Sequence, residues 1–364
     1  MIVPGNDDRL SWSGAISLER RDDWVMPWRI PREDLDLFSS GRSSLPARAA
    51  LPSGVRLRFG TDAGGLIFRT EPMIGPGSMD VCVDDVVVAT STFRQGDTDV
   101  RFANLPAGDK PIDLWLSSFV PFCLREIELS DGASFEERRD DRPRWVTYGS
   151  SITQCRTARS PAFTWPGIVA RSRHLNLTSL GFGGNCHVDP VIARLIRDLP
   201  AELISLKIGI NVFNQSSLSL RTFQPALIGM ITTIRDRHPA TPLVVCSPIW
   251  SGKREAGPNS IGMTLKVMRD EIRDAVASFA GRGDEKIRYV NGLTLLGEDA
   301  AELLPDGLHP SAAGYEVLAA NFLKKVFGTD PSVEQDQGEA SRRDQLTNEI
   351  TLHAGPGGTH EGQT

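Results

Sequence analysis

Cysteine is scarce in this 364-residue chain. The five cysteines are scattered, odd in number and never spaced as CxxC. Neither a disulfide framework nor a zinc site is therefore indicated. We interpret them as reduced, mostly buried thiols: Cys82, Cys123, Cys155, Cys186 and Cys246.

Membrane and nucleic-acid signals are missing as well. No window approaches 18 consecutive apolar residues, and the N-terminus lacks the basic stretch and apolar core of a signal peptide. The formal net charge is −6, and no concentrated basic face of the kind that binds phosphate backbones is present. We expect a soluble cytoplasmic protein whose partners include neither membrane nor nucleic acid; the oligomeric state stays open.

Cofactor signals are missing too. No cluster of side chains suggests a metal site, and no Gly-rich segment ends in the Lys-Ser/Thr of a phosphate loop. We therefore expect chemistry that needs no cofactor. The composition itself, 40% apolar and 24% charged, is that of an ordinary soluble protein, and the length predicts about two domains.

The first third of the chain reads as strands and turns. Apolar and polar residues alternate over 55–60 and 79–84, with a turn at Asp84-Asp85 before Val86. Further short runs at 99–102 and 112–116 are separated by Gly, Pro and Asp clusters. This pattern predicts an all-β, jelly-roll-like sandwich over residues 1–135.

The periodicity changes from Trp145 onward. Strand-like apolar runs alternate with longer stretches such as 260–280, in which apolar residues recur every three or four positions. The predicted strands are 145–149, 177–182, 203–209, 243–249 and 287–291. Strand and helix in alternation predict an α/β domain with a parallel, doubly wound sheet over 145–328.

Two segments lie outside these domains. Residues 136–144 carry seven consecutive charges of mixed sign, which favours a solvated linker. Residues 329–364 hold seven acidic side chains against two arginines and little apolar periodicity. We predict a disordered tail there, which also leaves the body of the protein close to neutral.

A nucleophile, a base and an orienting carboxylate are spread over the second domain. Ser151 follows the apolar run that begins at Trp145, and Asp306 and His309 lie three residues apart far downstream. A serine hydroxyl needs an imidazole to accept its proton and an anion to hold that imidazole in the correct tautomer. Alone, Asp-x-x-His is more often a helix cap, so the interpretation depends on the neighbouring motifs.

Those motifs all follow predicted strands. Ser151 follows the first strand, Gly183-Gly184-Asn185 the second and Asn211 the third. In an open α/β sheet, ligands bind beyond the carboxyl ends of the strands. Gly184 and Asn211, with the backbone N–H of Ser151, would supply three donors for a developing oxyanion. Taken singly, the Gly pair is a turn and Asn211 an ordinary strand-end residue.

The ordered blocks resemble a known family. Gly-x-Ser-Ile-Thr, Gly-Phe-Gly-Gly-Asn, Gly209-Ile210-Asn211 and Asp-x-x-His-Pro are similar to the four blocks of the SGNH, or GDSL-type, hydrolases, over residues 145–327. Finer similarity is to the subgroup with an N-terminal β-sandwich, which includes an acyltransferase. The resemblance implies a flavodoxin-like three-layer domain with Ser151 as nucleophile, Gly184 and Asn211 as oxyanion donors, His309 as base and Asp306 as its orienter.

Two positions depart from that family pattern. Ser150 stands where the family has Asp before the nucleophile, and Val212 stands where it has Asp after the third-block Asn. Neither position carries proton transfer, so we expect only local hydrogen bonding to differ. The fold also brings Cys155 and Cys186 near each other, as a disulfide or as a reduced pair. His187 is interpreted as structural or as a pocket wall.

The sequence therefore predicts a serine esterase that cleaves a small-molecule carboxylic ester through a covalent acyl-enzyme. Acyl transfer to an alcohol or sugar uses the same residues and is the first alternative. A catalytically inactive carbohydrate-binding protein is the second. The acyl and alcohol parts of the substrate are left open.

Overall fold

The computed structural model describes residues 1–39 and 43–328. The predicted disordered tail, 329–364, lies outside the described residues. The chain divides into two compact units, Met1–Asn321 and Phe322–Thr364. All the sheets described below lie in the first unit, and only residues 322–328 of the second are described.

The first part of the chain forms two antiparallel sheets, as predicted. One sheet contains β1 (Ile2–Pro4), β3 (Ser17–Arg20), β4 (Val25–Trp28), β6 (Leu66–Thr70), β9 (Asp99–Phe102) and β11 (Leu124–Leu129). The other contains β2 (Ser11–Ser13), β5 (Arg56–Thr61), β7 (Gly77–Val83), β8 (Val86–Phe93) and β10 (Lys110–Trp115). Two short helices, α1 (Leu35–Phe38) and α2 (Leu45–Ala49), follow β4.

The alternation seen in the sequence produces the sandwich core. Apolar residues of both sheets enter one buried cluster, and Phe59 of β5 meets Phe68 of β6 at 6.4 Å between ring centroids. The turn between β7 and β8 lies at Asp84 and Asp85, with φ of 48° and 64°. Positive φ at both central residues matches the right-handed twist of the flanking strands.

The second part of the chain forms a five-stranded parallel sheet. Its strands are β12 (Arg144–Gly149), β13 (Asn176–Gly181), β14 (Leu203–Lys207), β15 (Leu243–Cys246) and β16 (Ile287–Val290). The helices are α3 (Ser151–Gln154), α4 (Trp165–Ser172), α5 (Pro190–Asp198), α6 (Ile210–Gln215), α7 (Leu220–Arg235), α8 (Leu265–Ala280) and α9 (Ala312–Phe327). Short 3₁₀ turns occur at Arg32–Asp34, Pro161–Phe163, Gly252–Arg254, Gly292–Thr294 and Glu298–Leu303.

The strand order is β13-β12-β14-β15-β16, all parallel. This is the flavodoxin-like order 2-1-3-4-5, which confirms the predicted fold class. The chain reverses its winding direction at β12, the strand with β13 on one side and β14 on the other. The loops after these three strands therefore meet at one crevice.

Most residues of the charged segment 136–144 are exposed, as the sequence predicts for a solvated linker, but the side chains of Asp140 and Arg142 turn inward. Glu136 pairs with Gly60 of β5, and the side chain of Asp140 is only 2% exposed. Asp140 accepts from Arg142 at 2.6 Å and contacts Arg56 at 3.3 Å. The reason is tertiary: the guanidinium of Arg56 is buried and draws a counter-charge inward. The exact domain boundaries stay a prediction.

Within residues 1–39 and 43–328, no helix combines the length and the apolar character needed to cross a bilayer.

Candidate active site

Ser151 begins the short helix that follows the central strand. The strand β12 ends at Gly149, where a Cβ atom would collide with the side chain of Thr153. Ser150 has extended backbone angles, and its hydroxyl accepts the Ile152 N–H at 3.2 Å. Ser150 thus caps helix α3. This is the hydrogen bond that the chain makes at the position where the family has Asp.

The structure brings Ser151, His309 and Asp306 together. Ser151 Oγ lies 2.8 Å from His309 Nε2, and His309 Nδ1 lies 2.7 Å from Asp306 Oδ2. Ser151 and His309 are 158 positions apart in the chain. The His309 side chain is 31% exposed, so solvent and substrate can reach it. The geometry is that of a nucleophile bonded to a base which a carboxylate orients.

Asp306 is held in its ionised form. Burial acts to raise its pKa, but hydrogen bonds from the His309 ring and from the N–H groups of His309 and Leu308 outweigh burial, so the pKa lies below its usual range. An anionic Asp306 accepts a hydrogen bond from the Nδ1–H of His309, which holds the proton of the neutral ring on Nδ1. Nε2 is then left to accept the proton of Ser151.

The loop that carries Gly184 lies beside Ser151, and Asn211 contacts the same loop. A Cβ at Gly183 would come 3.5 Å from Ser151 Cβ, which places this loop beside the serine. Asn211 Oδ1 accepts the Cys186 N–H at 3.1 Å, which places the amide beside the loop. Among the described residues, neither the N–H groups of Ser151 and Gly184 nor the Asn211 amide nitrogen has a hydrogen-bond acceptor. Unpaired donors close to a nucleophile can stabilise a developing anion.

The backbone of Gly184 is held in place by two side chains that donate to its carbonyl oxygen. Its φ is +76°, which favours glycine. Its oxygen accepts from Gln215 Nε2 at 2.6 Å and from His187 Nε2 at 3.1 Å. His187 also bonds the Ser217 hydroxyl at 2.8 Å. His187 therefore supports the loop backbone, as a structural histidine does. Its Nε2 atom contacts the Gly184 carbonyl and its Nδ1 atom contacts the Ser217 hydroxyl.

Gln154 is a site residue that sequence reasoning missed. This buried side chain accepts the Gly183 N–H at 2.9 Å and donates to the Ser118 carbonyl at 3.1 Å. It therefore joins the loop after β13 to a loop of the antiparallel sandwich. The sequence offered one signal for Gln154, its position three residues after Ser151. A single amide side chain in a short helix forms no distinctive pattern, so this signal did not identify it.

The loop that carries Asp306 and His309 is held from several sides, by residues that the sequence also did not single out. Ser251 Oγ donates to the Gly307 carbonyl at 2.6 Å, and Thr157 Oγ1 donates to the Pro310 carbonyl at 2.5 Å. Gly307 itself has φ +70°. These contacts hold the carboxylate and imidazole against the rest of the site, because backbone bonds restrict the loop.

Ser251 is in turn supported by an ion pair. Its N–H donates to Glu255, and Glu255 receives two hydrogen bonds from the buried Arg269 at 2.6 and 2.7 Å. Arg269 also donates to the Pro248 and Ile249 carbonyls at 2.9 and 3.2 Å. A bidentate, largely buried pair gives a rigid support for the loop after β15.

All five cysteines are free thiols. Cys155 donates to the Ile152 carbonyl, and Cys186 lies near the Lys207 carbonyl. Burial raises the pKa of Cys186 to about 12, so this thiol is not ionised at neutral pH. The structure thus has the reduced pair rather than the disulfide.

Two family models match the chain. The SsfX3 N-terminal domain matches residues 10–125, and the GDSL-like Lipase/Acylhydrolase family matches residues 143–327. No curated protein matches the chain.

Several solved structures are similar over most of their length. The salicylyl-acyltransferase SsfX3 from a tetracycline biosynthetic pathway is 34% identical, with a TM-score of 0.83 over 91% of this chain and 99% of that one. A putative GDSL-like lipase from Bacteroides ovatus is 19% identical, with a TM-score of 0.72 over 90% and 98%. A family two carbohydrate esterase from Clostridium thermocellum is 15% identical, with a TM-score of 0.61 over 88% and 99%.

The last two similarities concern the fold alone, whereas the first extends to sequence across both parts of the chain. Together with the family model over residues 143–327, the first similarity identifies an enzyme of the SGNH type, an esterase or acyltransferase. The chain belongs to the GDSL-like lipase/acylhydrolase family.

Proposed function

We propose that this protein is a serine-dependent carboxylic ester hydrolase that forms a covalent acyl-enzyme on Ser151. The observation that carries the proposal is the continuous hydrogen-bonded relay from Ser151 through His309 to Asp306, with distances of 2.8 and 2.7 Å. The unpaired N–H groups of Ser151, Gly184 and Asn211 support it. The proposed substrate is a small-molecule ester, and the proposed chemistry needs no cofactor.

The first half of the reaction forms the acyl-enzyme. His309 Nε2 takes the proton of Ser151 Oγ while the oxygen attacks the ester carbonyl carbon. The carbonyl oxygen becomes an oxyanion, which the three donors stabilise. The intermediate then collapses, the bond to the alcohol oxygen breaks, and the imidazolium gives that oxygen its proton. Asp306 stabilises the transient positive charge on the ring.

The second half releases the acyl group. His309 takes a proton from water as the water oxygen attacks the acyl carbonyl. The second tetrahedral intermediate collapses, the bond to Ser151 Oγ breaks, and the imidazolium returns the proton to that oxygen. A carboxylic acid leaves and the enzyme is restored.

Acyl transfer is the second candidate, and two observations favour it. SsfX3, at 34% identity, is named as a salicylyl-acyltransferase. A cleft of about 360 Å³ lies beside the segment that follows helix α3, between residues 155–161 and sandwich residues 75–78 and 117–120. An acceptor alcohol that extends from this cleft to Ser151 would replace water in the second half of the reaction.

The first experiment tests the nucleophile. We expect a fluorophosphonate probe to label the wild-type protein and not Ser151→Ala. This variant should lose nearly all turnover of p-nitrophenyl acetate but stay about 10³-fold faster than the reaction in water, because the remaining donors still act. An unlabelled wild-type protein would instead favour the inactive carbohydrate-binding alternative.

The second experiment separates hydrolysis from transfer. The products of a small activated ester are analysed with and without added alcohols and sugars. If the acyl group ends on water under every condition, transfer is rejected. Partitioning to an acceptor that saturates with its concentration would establish transfer.

A further inference from the structure

The outer edge of β13 is covered by two arginines of the sandwich region. The backbone N–H groups of Asn176 and Phe182 donate to carbonyls on the β12 side. The backbone groups of the alternate residues of β13 therefore point away from β12. The outward carbonyls are those of Leu177, Ser179 and Gly181. Arg56 donates to the first at 2.9 Å, and Arg29 donates to the other two at 3.0 and 2.8 Å.

Arg29 is enclosed on all sides. Its side chain is 0% exposed, and it lies just after β4. Besides the two β13 carbonyls, it donates to the Leu51 and Arg48 carbonyls, both at 2.6 Å. Its guanidinium carbon lies 4.8 Å from the centre of the Phe182 ring. No carboxylate among the described residues bonds it, so carbonyl dipoles and the ring stabilise the charge.

The hydrogen bonds of Arg29 must offset the free-energy cost of burying its charge. Moving a charge out of water is costly unless its hydrogen bonds are made. Burial lowers the pKa of Arg29 to about 9, which still leaves it charged at neutral pH. The planar guanidinium of Arg29 binds four carbonyls at once through its three nitrogens, which the single amine nitrogen of a lysine cannot do with the same geometry.

The strand end that Arg29 holds leads directly into the loop of Gly184. The same loop is held by the sandwich region at two more points. Asn185 Nδ2 donates to the Ser44 hydroxyl at 3.0 Å, and Asn185 Oδ1 accepts the Ser44 N–H at 3.1 Å. Gly183 is tied to the Ser118 carbonyl through Gln154. The N–H of Gly184 is thus positioned by residues from the other half of the protein.

We propose that Arg29 is a positioning residue of the oxyanion hole, through which the N-terminal sandwich fixes the Gly184 N–H beside Ser151. The inference rests on the proposed function. It assigns the sandwich a part in catalysis that does not depend on binding a ligand.

The test compares Arg29→Met with Arg56→Met. Both arginines are 0% exposed and both donate to outward carbonyls of β13. Arg56 binds at Leu177, near the start of the strand, whereas Arg29 binds at its end. The folded fraction and thermal stability of each purified variant are measured first, then kcat and KM for p-nitrophenyl acetate and the inhibition constant of phenylboronic acid, which forms a tetrahedral adduct with serine.

We expect Arg29→Met to lower kcat by about 10- to 100-fold with KM changed less than about threefold, since a donor displaced by about 1 Å loses much of its effect. Binding of phenylboronic acid should weaken by a similar factor, because the adduct uses the same donors. Arg56→Met should lower stability while changing kcat less than about threefold. If Arg29→Met does not fold, Arg29→Lys against Arg56→Lys makes the same comparison.

Equal effects of the two variants on kcat, at matched folded fraction, would overturn the inference while the proposed function stands. So would a loss in kcat with unchanged phenylboronic acid binding. A wild-type protein that neither turns over the ester nor reacts with a fluorophosphonate would overturn both, so the two failures are distinguishable.

Discussion

Asn211 has two partners in the proposed mechanism. Its side-chain oxygen accepts the Cys186 N–H, which leaves its amide nitrogen available to donate to the proposed oxyanion. The side chain is 6% exposed, so rotation of the amide would break a buried bond. The orientation that donates to substrate is therefore the stable one before substrate binds, which is the preorganisation that electrostatic catalysis requires.

Asn211→Ala should lower kcat by about 10²- to 10³-fold, because one oxyanion donor is lost. Folding should change little, as checked by circular dichroism and thermal unfolding. The matched control is Asn214→Ala, an exposed asparagine on the same helix, which should keep near-normal turnover. An unaffected rate in Asn211→Ala would show that this residue is not a donor.

Asp306 tests a different part of the mechanism. Asp306→Asn should lower kcat by about 10³- to 10⁴-fold with an intact fold, since a neutral amide neither stabilises the imidazolium nor holds the tautomer. The second-order rate of fluorophosphonate labelling should fall with it. Asp299→Asn changes an exposed carboxylate that follows β16 and should leave both rates unchanged. A labelling rate that did not fall would assign the orienting role elsewhere.

At the scale of the element, the turn from β12 into α3 shows how the backbone places the nucleophile. The strand must end close to the helix for Ser151 to emerge at the sheet edge. Glycine at 149 permits this approach because no Cβ lies against Thr153. The cap from Ser150 then starts the helix immediately.

Gly149→Ala should therefore destabilise the protein by about 1–3 kcal/mol, the usual effect of overpacking, and lower turnover because Ser151 moves with the helix. Urea unfolding and esterase assays measure the two effects. Gly229→Ala is the matched control, since Gly229 lies inside α7 with open space around it. There alanine should stabilise by about 0.5–1 kcal/mol. Equal behaviour of the two variants would contradict the steric argument.

The elements were largely predictable, and the deviations have local causes. Helix α8 begins at Leu265 rather than at 260, after a capping Thr264 whose hydroxyl accepts the Val267 N–H. Strand β14 was predicted to reach residue 209 but ends at Lys207. Gly209 has φ +113°, which leaves the extended region, and a Cβ atom there would collide with the ring of Pro248. Apolar periodicity continues through such a bend, so periodicity alone does not locate the strand end.

At the scale of the whole molecule, the segment between the two sheet systems carries a largely buried group of ion pairs around Asp140 and Arg142. Arg142 bonds Asp140, Asp85 and Asp113, which come from three separate parts of the chain. Burial acts to raise the pKa of Asp140, but the Arg142 hydrogen bond and the Arg56 charge outweigh it, so the pKa lies well below its usual range. This ionised form stabilises the folded state.

Asp140→Asn should destabilise the protein by about 3 kcal/mol at pH 7, because it leaves buried arginines without their counter-charge. Since the folded pKa of Asp140 is depressed, its stabilisation is complete above the unfolded value of about 3.9 and is lost as the pH falls below it. The difference between variant and wild type in urea unfolding should therefore shrink from pH 7 to pH 3. Asp141→Asn, the neighbouring exposed carboxylate, serves as the control. A difference that stayed constant with pH would contradict the charge argument.

The sequence by itself determined the two fold classes, the strand and helix order, and the residues that meet at the crevice. These follow from periodicity and from the rule that parallel strands present their carboxyl ends at one edge, both of which are written in local order along the chain. Tertiary structure alone decided what holds that crevice together. The residues that hold it bond to partners 36 or more positions away in the chain. The pairs are Arg29 with Gly181, Gln154 with Ser118, Ser251 with Gly307, and Asp140 with Arg56. Such partners are chosen by burial and by the need to satisfy each buried polar group, and neither condition exists until the chain has folded.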